Sequence, residues 1–188
     1  MKLNEALNLV LPVGSMQAHH TPISREVFEA NYRIFAATRA ALSGKGVTYQ
    51  MYAGPRIAKL ALMDEAKEDA QERGSQDVGP SILAEIKRLT VILCPTPQGF
   101  TSLPVDAAIS AGHIDAEDWA DAEAAIVFFT CVLSMEARSE RPAIGKAMAS
   151  LLKGSITSSN ASEFAASLAA STKESPSPPT SAAASFPT

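Results

Sequence analysis

Residues 124–133 read Ala-Ala-Ile-Val-Phe-Phe-Thr-Cys-Val-Leu, ten positions in a row with no charge and one polar side chain. A helix that borders water shows a polar face with helical period. This one has no such face at its middle, 126–129, so protein must surround it on every side. It is too short to cross a bilayer, which takes roughly 20 apolar residues. Asp115 stands where an N-cap belongs, with Asp118 three residues on. Trp119, Ala122, Ile126, Phe129 and Leu133 then fall on one stripe. The spacing predicts a central buried helix from about residue 116 to 133, around which the rest of the chain must assemble.

The other elements follow from periodicity and caps. Leu7, Leu9, Leu11 and Val13 alternate with Asn8, Val10 and Pro12, the period of a strand. Gly14-Ser15 can turn the chain so that residues 16–21 return as a second strand, a β-hairpin. Residues 100–103, between Gly99 and Pro104, are a candidate third strand. Ser24 is an N-cap candidate, with Ile23 and Phe28 placed for a hydrophobic staple. The helix it opens is expected to run to about Leu42. A second helix is expected to open at Gly54-Pro55, with proline at its favoured first position, and to bury Ile57, Leu60 and Ala61. A third is expected from Pro80, with Ile82, Leu83, Ile86, Leu89 and Leu93 at helical spacing. A short helix over 105–111 closes at Gly112, and Pro142 opens a last amphipathic helix with Ile144, Met148, Leu151 and Leu152.

Composition changes at Gly154. Of the last 35 residues, 10 are Ser, 4 Thr, 8 Ala and 4 Pro, too few bulky apolar groups to offset ordering entropy. The expected organisation is therefore a mainly α, compact helical domain over 1–153 with a small N-terminal β-hairpin, followed by a largely disordered tail over 154–188. One short helix is allowed near Asn160, with Phe164 and Leu168 on one face. Alanine accounts for 33 of the 188 residues, which fits helices and a core of modest volume.

Charge is uneven. Residues 1–60 carry a net +4, 61–140 a net −10 and 141–188 a net +2. The asymmetry can be self-complementary within the fold, can align subunits head to tail, or can be a solvated acidic face, and the last is the preferred reading. A net charge of −4 and a pI near 5.4 argue against a dedicated nucleic-acid binder. The start of the chain, Met1-Lys2-Leu3-Asn4-Glu5, lacks the basic-then-apolar pattern of a secretory signal.

No pattern of catalysis or metal binding stands out. His19 and His20 are adjacent, so in a strand they point to opposite faces and cannot share one ion. Cys131 sits in the apolar run and reads as a small buried hydrophobe. Cys94, before Pro95, is expected to be partly exposed, and neither thiol has a nucleophile signature. The carboxylates Asp64, Glu65, Glu68, Asp69 and Glu72 read as a solvated helix face, and Asp115, Glu117, Asp118, Asp121 and Glu123 as a charged helix start. Gly44-Lys45-Gly46 is not a phosphate-binding loop, because Gly-x-x-x-x-Gly-Lys-Ser/Thr is absent. No enzyme, cofactor or metal is expected.

Several stretches taken together resemble a known group. They are Ala6-Leu-Asn-Leu-Val-Leu-Pro-Val13, His20-Thr-Pro-Ile-Ser-Arg-Glu-Val-Phe28, Ala53-Gly-Pro-Arg-Ile-Ala58, Leu83-Ala-Glu-Ile-Lys-Arg-Leu-Thr90, Ala124-Ala-Ile-Val-Phe-Phe129 and Ser158-Ser-Asn-Ala-Ser-Glu-Phe-Ala165. This set is similar to tail assembly chaperones of long-tailed bacteriophages, over most of residues 1–170. The resemblance implies a non-enzymatic, mostly helical late protein of the infected host's cytoplasm. It would bind the tape measure protein, keep it soluble, promote growth of the tail tube and be absent from the mature virion. It also implies a longer form made by ribosomal frameshifting, through which the major tail protein would be a second partner, and allows self-association. Neither nucleic acid nor membrane is an expected partner. Phe164 and Leu168, then Met148, Leu151 and Leu152, are the candidate client-binding side chains. The alternative reading is a small structural tail completion or connector protein of a phage particle.

Overall fold

The computed structural model of the protein describes residues 7–43, 47–74 and 80–173. The motif Gly44-Lys45-Gly46 and residues 174–188 lie outside them. Among the described residues the chain forms five strands and eight helices. The strands are β1 (Asn8–Val13), β2 (Met16–His20), β3 (Thr90–Thr96), β4 (Gly99–Pro104) and β5 (Ser155–Thr157). The helices are α1 (Arg25–Ala30), α2 (Tyr32–Ser43), α3 (Val47–Glu72), α4 (Pro80–Arg88), α5 (Val105–Ser110), α6 (Ala116–Leu133), α7 (Arg141–Leu151) and α8 (Ala161–Lys173).

The strands make one antiparallel sheet in the order β4-β3-β2-β1-β5. This corrects the mainly α expectation: the fold is mixed α/β, and the N-terminal hairpin is the middle of a five-stranded sheet. Three physical facts explain the difference. The segment 90–94, Thr-Val-Ile-Leu-Cys, is short and β-branched at its start, so it prefers an extended chain, and the helix before it ends at Arg88. Leu93 matched helical spacing from Leu89 by coincidence, because a short apolar run fits both periods. The 99–104 segment then returns beside it through a turn at Gly99, whose φ of 139° suits glycine.

A second difference is at the C-terminal end. Residues 154–173, expected to belong to a largely disordered tail with one short helix, carry β5 and α8, and the division between 153 and 154 falls just before β5, a strand of the sheet. Lys153 takes a left-handed φ of 57°, and the Gly154 amide donates to the Ala149 carbonyl at 2.7 Å, ending α7. Gly154 then passes so close to β1 that a Cβ there would collide with the Val10 carbonyl oxygen.

Pairing register sorts the side chains. Leu9, Leu11, Val13, Ala18, Ile92 and Cys94 face the main helical core, together with His20 and Thr90. Asn8, Val10, His19 and Leu93 face the other way and are also buried. What covers them is the first part of the supposed tail. The Ser159 carbonyl accepts from Asn8 Nδ2 at 2.8 Å and from His19 Nε2 at 3.0 Å. Phe164 of α8 sets its ring 6.0 Å from that of His19.

On the core face α6 is central, as its apolar middle requires. It packs against β1 and against α2, α3, α4 and α7. Ile126, Val127, Phe129 and Cys131 are almost wholly inaccessible. Its start is the expected Asp115 cap, which accepts from the Asp118 amide at 2.7 Å. Helix α3 corrects two further expectations. It starts at Val47 and runs through Pro55, and it buries Ala58, Leu62, Ala66 and Ala70 while Leu60 is 59% exposed. The small side chains allow close approach to α6: a Cβ on Gly54 would lie 3.1 Å from the Phe128 ring. The helix opened by Ser24 breaks at Asn31, whose side chain donates to the Val27 carbonyl and interrupts the ladder.

Candidate functional site: a cleft between α1 and the end of α6

A concave feature that combines apolar walls with buried polar groups lies where the β2–α1 segment crosses the last turn of α6 and the start of α7. Its volume is about 420 Å³, within the range of small-molecule sites. Leu7, Ile23, Phe28, Phe129 and Leu133 supply apolar walls. His20, Thr130 and Ser134 supply polar groups, and Arg25, Glu29, Arg138 and Arg141 supply charge.

Local chemistry fixes each contributor. Ser24 caps α1, accepting from the Val27 amide at 3.2 Å, and so sets the direction in which Phe28 points. Phe28 stacks on Phe35 of α2 with ring centroids 5.6 Å apart. Phe129 and Leu133 are one helical turn apart on α6. His20 closes β2 and is buried. The Thr90 hydroxyl donates to the Ile86 carbonyl at 2.7 Å, which leaves its oxygen as the acceptor for His20 Nδ1 at 2.9 Å. This network assigns the proton to Nδ1 and leaves Nε2 with a lone pair. Burial, aided by the neighbouring His19, lowers the His20 pKa to about 3, so the ring is neutral. Among the described residues Nε2 has no hydrogen-bond partner, and neither does the buried Ser134 Oγ.

Arg141 is held by main chain: Nε donates to the Glu136 carbonyl at 3.0 Å and Nη2 to the Ser134 carbonyl at 3.4 Å. Arg25 pairs with Glu29 at 2.6 Å on the exposed surface. Three guanidinium groups thus border the cleft against a single carboxylate.

The other residues singled out in the sequence do not converge on this cleft. His19 lies on the opposite face of the sheet from His20, as adjacent strand positions must, and burial lowers its pKa. Neither histidine is solvent-facing. Cys94 is buried in the core rather than partly exposed, and burial raises its pKa. Burial drives the Cys131 thiol up to about 12. No group of three His, Cys, Asp or Glu side chains able to hold a metal occurs among the described residues. No described helix is long and apolar enough to cross a membrane.

The candidate client-binding residues divide. Met148 and Leu152 pack against the core, and Phe164 rests on His19. Leu168 is half-buried on α8, and Leu151 is 38% exposed. Sequence periodicity missed the more exposed pair, Leu60 at 59% and Met63 at 47%, three residues apart on α3. Arg138 and Arg141 were also missed, since nothing local ties them to His20. No protein-family model, curated protein or solved structure matches this chain.

Proposed function

We propose that this chain is a tail assembly chaperone of a long-tailed bacteriophage, which binds the tape measure protein and keeps it soluble while the tail tube grows. The observation that supports the reading is where the resembling stretches lie. They are distant in sequence but meet in space. His20 of one stretch bonds Thr90 of another, and Gly54 of a third lies against Phe128 of a fourth. Asn8 of the N-terminal stretch bonds Ser159 of the last. The likeness thus falls on residues that hold one another in place, as expected if it reflects a shared fold.

The chemistry of the task asks for no catalytic residue. A tape measure chain is long and helical with apolar stripes, and a helix laid in a groove buries such a stripe. Weak contacts repeated along one client add up through avidity. Leu60 and Met63, exposed on the outer face of α3, are the first surface such a stripe would meet, ahead of Leu151. On this reading the protein acts in the host cytoplasm, is lost from the finished particle and has a frameshifted longer form that engages the major tail protein.

Co-expression with the tape measure protein of the same genome tests the proposal. The expected result is a soluble client that co-purifies with this chain. An insoluble client with no complex rejects it. Mass spectrometry of purified particles separates the alternative, a completion or connector subunit, which would be present in them. A gene without a slippery heptamer and an overlapping downstream frame removes the longer form.

A further inference from the structure

We propose that the cleft between α1 and the end of α6 binds the carboxylate end of an apolar amino-acid residue, either a free amino acid or the C-terminal residue of a peptide. Three features of one residue are matched by three features of the cleft. An apolar side chain fits against Phe28, Phe129 and Leu133. A main-chain N–H is the donor that the unpartnered His20 Nε2 lacks, and the Thr90 and Ile86 network leaves that nitrogen only an acceptor's role. A carboxylate takes the hydroxyl hydrogen of Ser134, whose Oγ is buried without a partner. Arg141 is already tethered to the Ser134 main-chain carbonyl, which holds its charge at the same residue. The Arg141 guanidinium at the opening, bonded to main-chain carbonyls, favours an anion.

An apolar ligand without charge would leave both buried polar atoms unpaired, and an unpaired buried group is costly. A bare inorganic anion would leave the apolar walls uncovered. Only a ligand that combines both kinds of surface satisfies the whole cleft, and capture of a terminal carboxylate is a known way to read a peptide end. The inference does not depend on the chaperone reading, because it rests on the cleft alone.

The test titrates the full chain with N-acetyl-L-phenylalanine, N-acetyl-L-phenylalaninamide, N-acetylglycine and free L-phenylalanine, read by amide chemical shifts. The proposal expects saturable shifts confined to residues 20–29 and 129–141. The acid should bind at least about tenfold more tightly than its amide, the loss associated with one charge-assisted hydrogen bond. N-acetylglycine should bind more weakly than N-acetyl-L-phenylalanine. Arg141 is exposed, so Arg141→Ala should keep the fold while weakening the acid about tenfold and leaving the amide unchanged. Tighter binding of the acetylated acid assigns a peptide terminus, and tighter binding of the free amino acid assigns a metabolite. Equal affinity for acid and amide, shifts elsewhere, no saturation, or an Arg141→Ala variant that binds as the parent does would each overturn the proposal.

Discussion

His20 is a buried base held neutral by its surroundings, and its stability consequence has a definite sign. Its folded pKa, about 3, lies below the unfolded value near 6.5. Between those two values the unfolded chain binds a proton that the folded chain refuses. Stability is therefore full above about pH 6.5 and falls as the pH drops, by about 1.4 kcal/mol per pH unit from this group, down to about pH 3. His19 acts in the same direction. Urea midpoints measured from about pH 7 to about pH 5 should decline, and the decline should be shallower in a His20→Leu/Thr90→Val variant, which removes the titrating ring and its partner together. A flat wild-type profile would refute the neutral-base assignment. Gly154 makes a second prediction at this scale. Gly154→Ala forces a methyl against the Val10 carbonyl and should lower stability by about 1–3 kcal/mol, whereas Ser155→Ala, at an exposed position, should stay within about 0.5 kcal/mol.

Elements were legible wherever a local signal sufficed. Ser24 and Asp115 cap helices as their types predict, Gly14 turns the hairpin with a φ of 55°, and the apolar middle of α6 is buried on all sides. What local signals could not decide was the partner of each surface. Leu93 had helical spacing but sits in β3, because two neighbouring strands offer it a ladder. Leu60 looked like core and is exposed, because α3 turns Ala58, Leu62, Ala66 and Ala70 inward instead. Residues 155–157 looked too poor in bulky groups to fold and 161–173 were allowed one short helix only, yet the edge of β1 gave the first a ladder and the sheet face gave α8 something to cover. The cleft was half visible: His20, Phe28, Phe129 and Leu133 were each singled out, but their meeting is tertiary. The role of α8 is testable. Phe164 is half-buried on His19, so Phe164→Ala should cost about 2 kcal/mol, below the 3–5 kcal/mol of a fully buried phenylalanine. Ending the chain at Ser159 should expose the second sheet face and raise binding of a hydrophobic dye. A shortened chain as stable and dye-silent as the parent would show that α8 is not part of the core.

At the scale of the whole molecule the charge asymmetry is, in part, an internal fit. Arg33 meets Asp69 and Glu72, Arg39 meets Glu136, Arg56 meets Asp121, and Lys59 meets Glu123. Each pair joins the basic first third to the acidic middle. The supposed solvated face of α3 thus partly serves to seat α2. Arg33–Glu72 and Arg56–Asp121 are exposed and weak, whereas Lys59–Glu123 is largely buried, so the outer surface of α3 is constrained along one side only. Its other side carries Leu60 and Met63, which no part of the core requires. If they meet a client, changing them separates binding from folding. Leu60→Lys/Met63→Lys should keep the thermal midpoint of the parent, since exposed positions away from the core shift stability by less than about 0.5 kcal/mol. In co-expression the same variant should leave most of the tape measure protein insoluble. A Tyr32→Lys variant serves as the control for added charge, because Tyr32 is equally exposed at 57% but lies on α2. Loss of client solubility in both variants would point to charge rather than to this patch. Retention in the α3 variant, alongside a parent that does solubilise the client, would move the docking surface elsewhere on the molecule while leaving the chaperone reading intact.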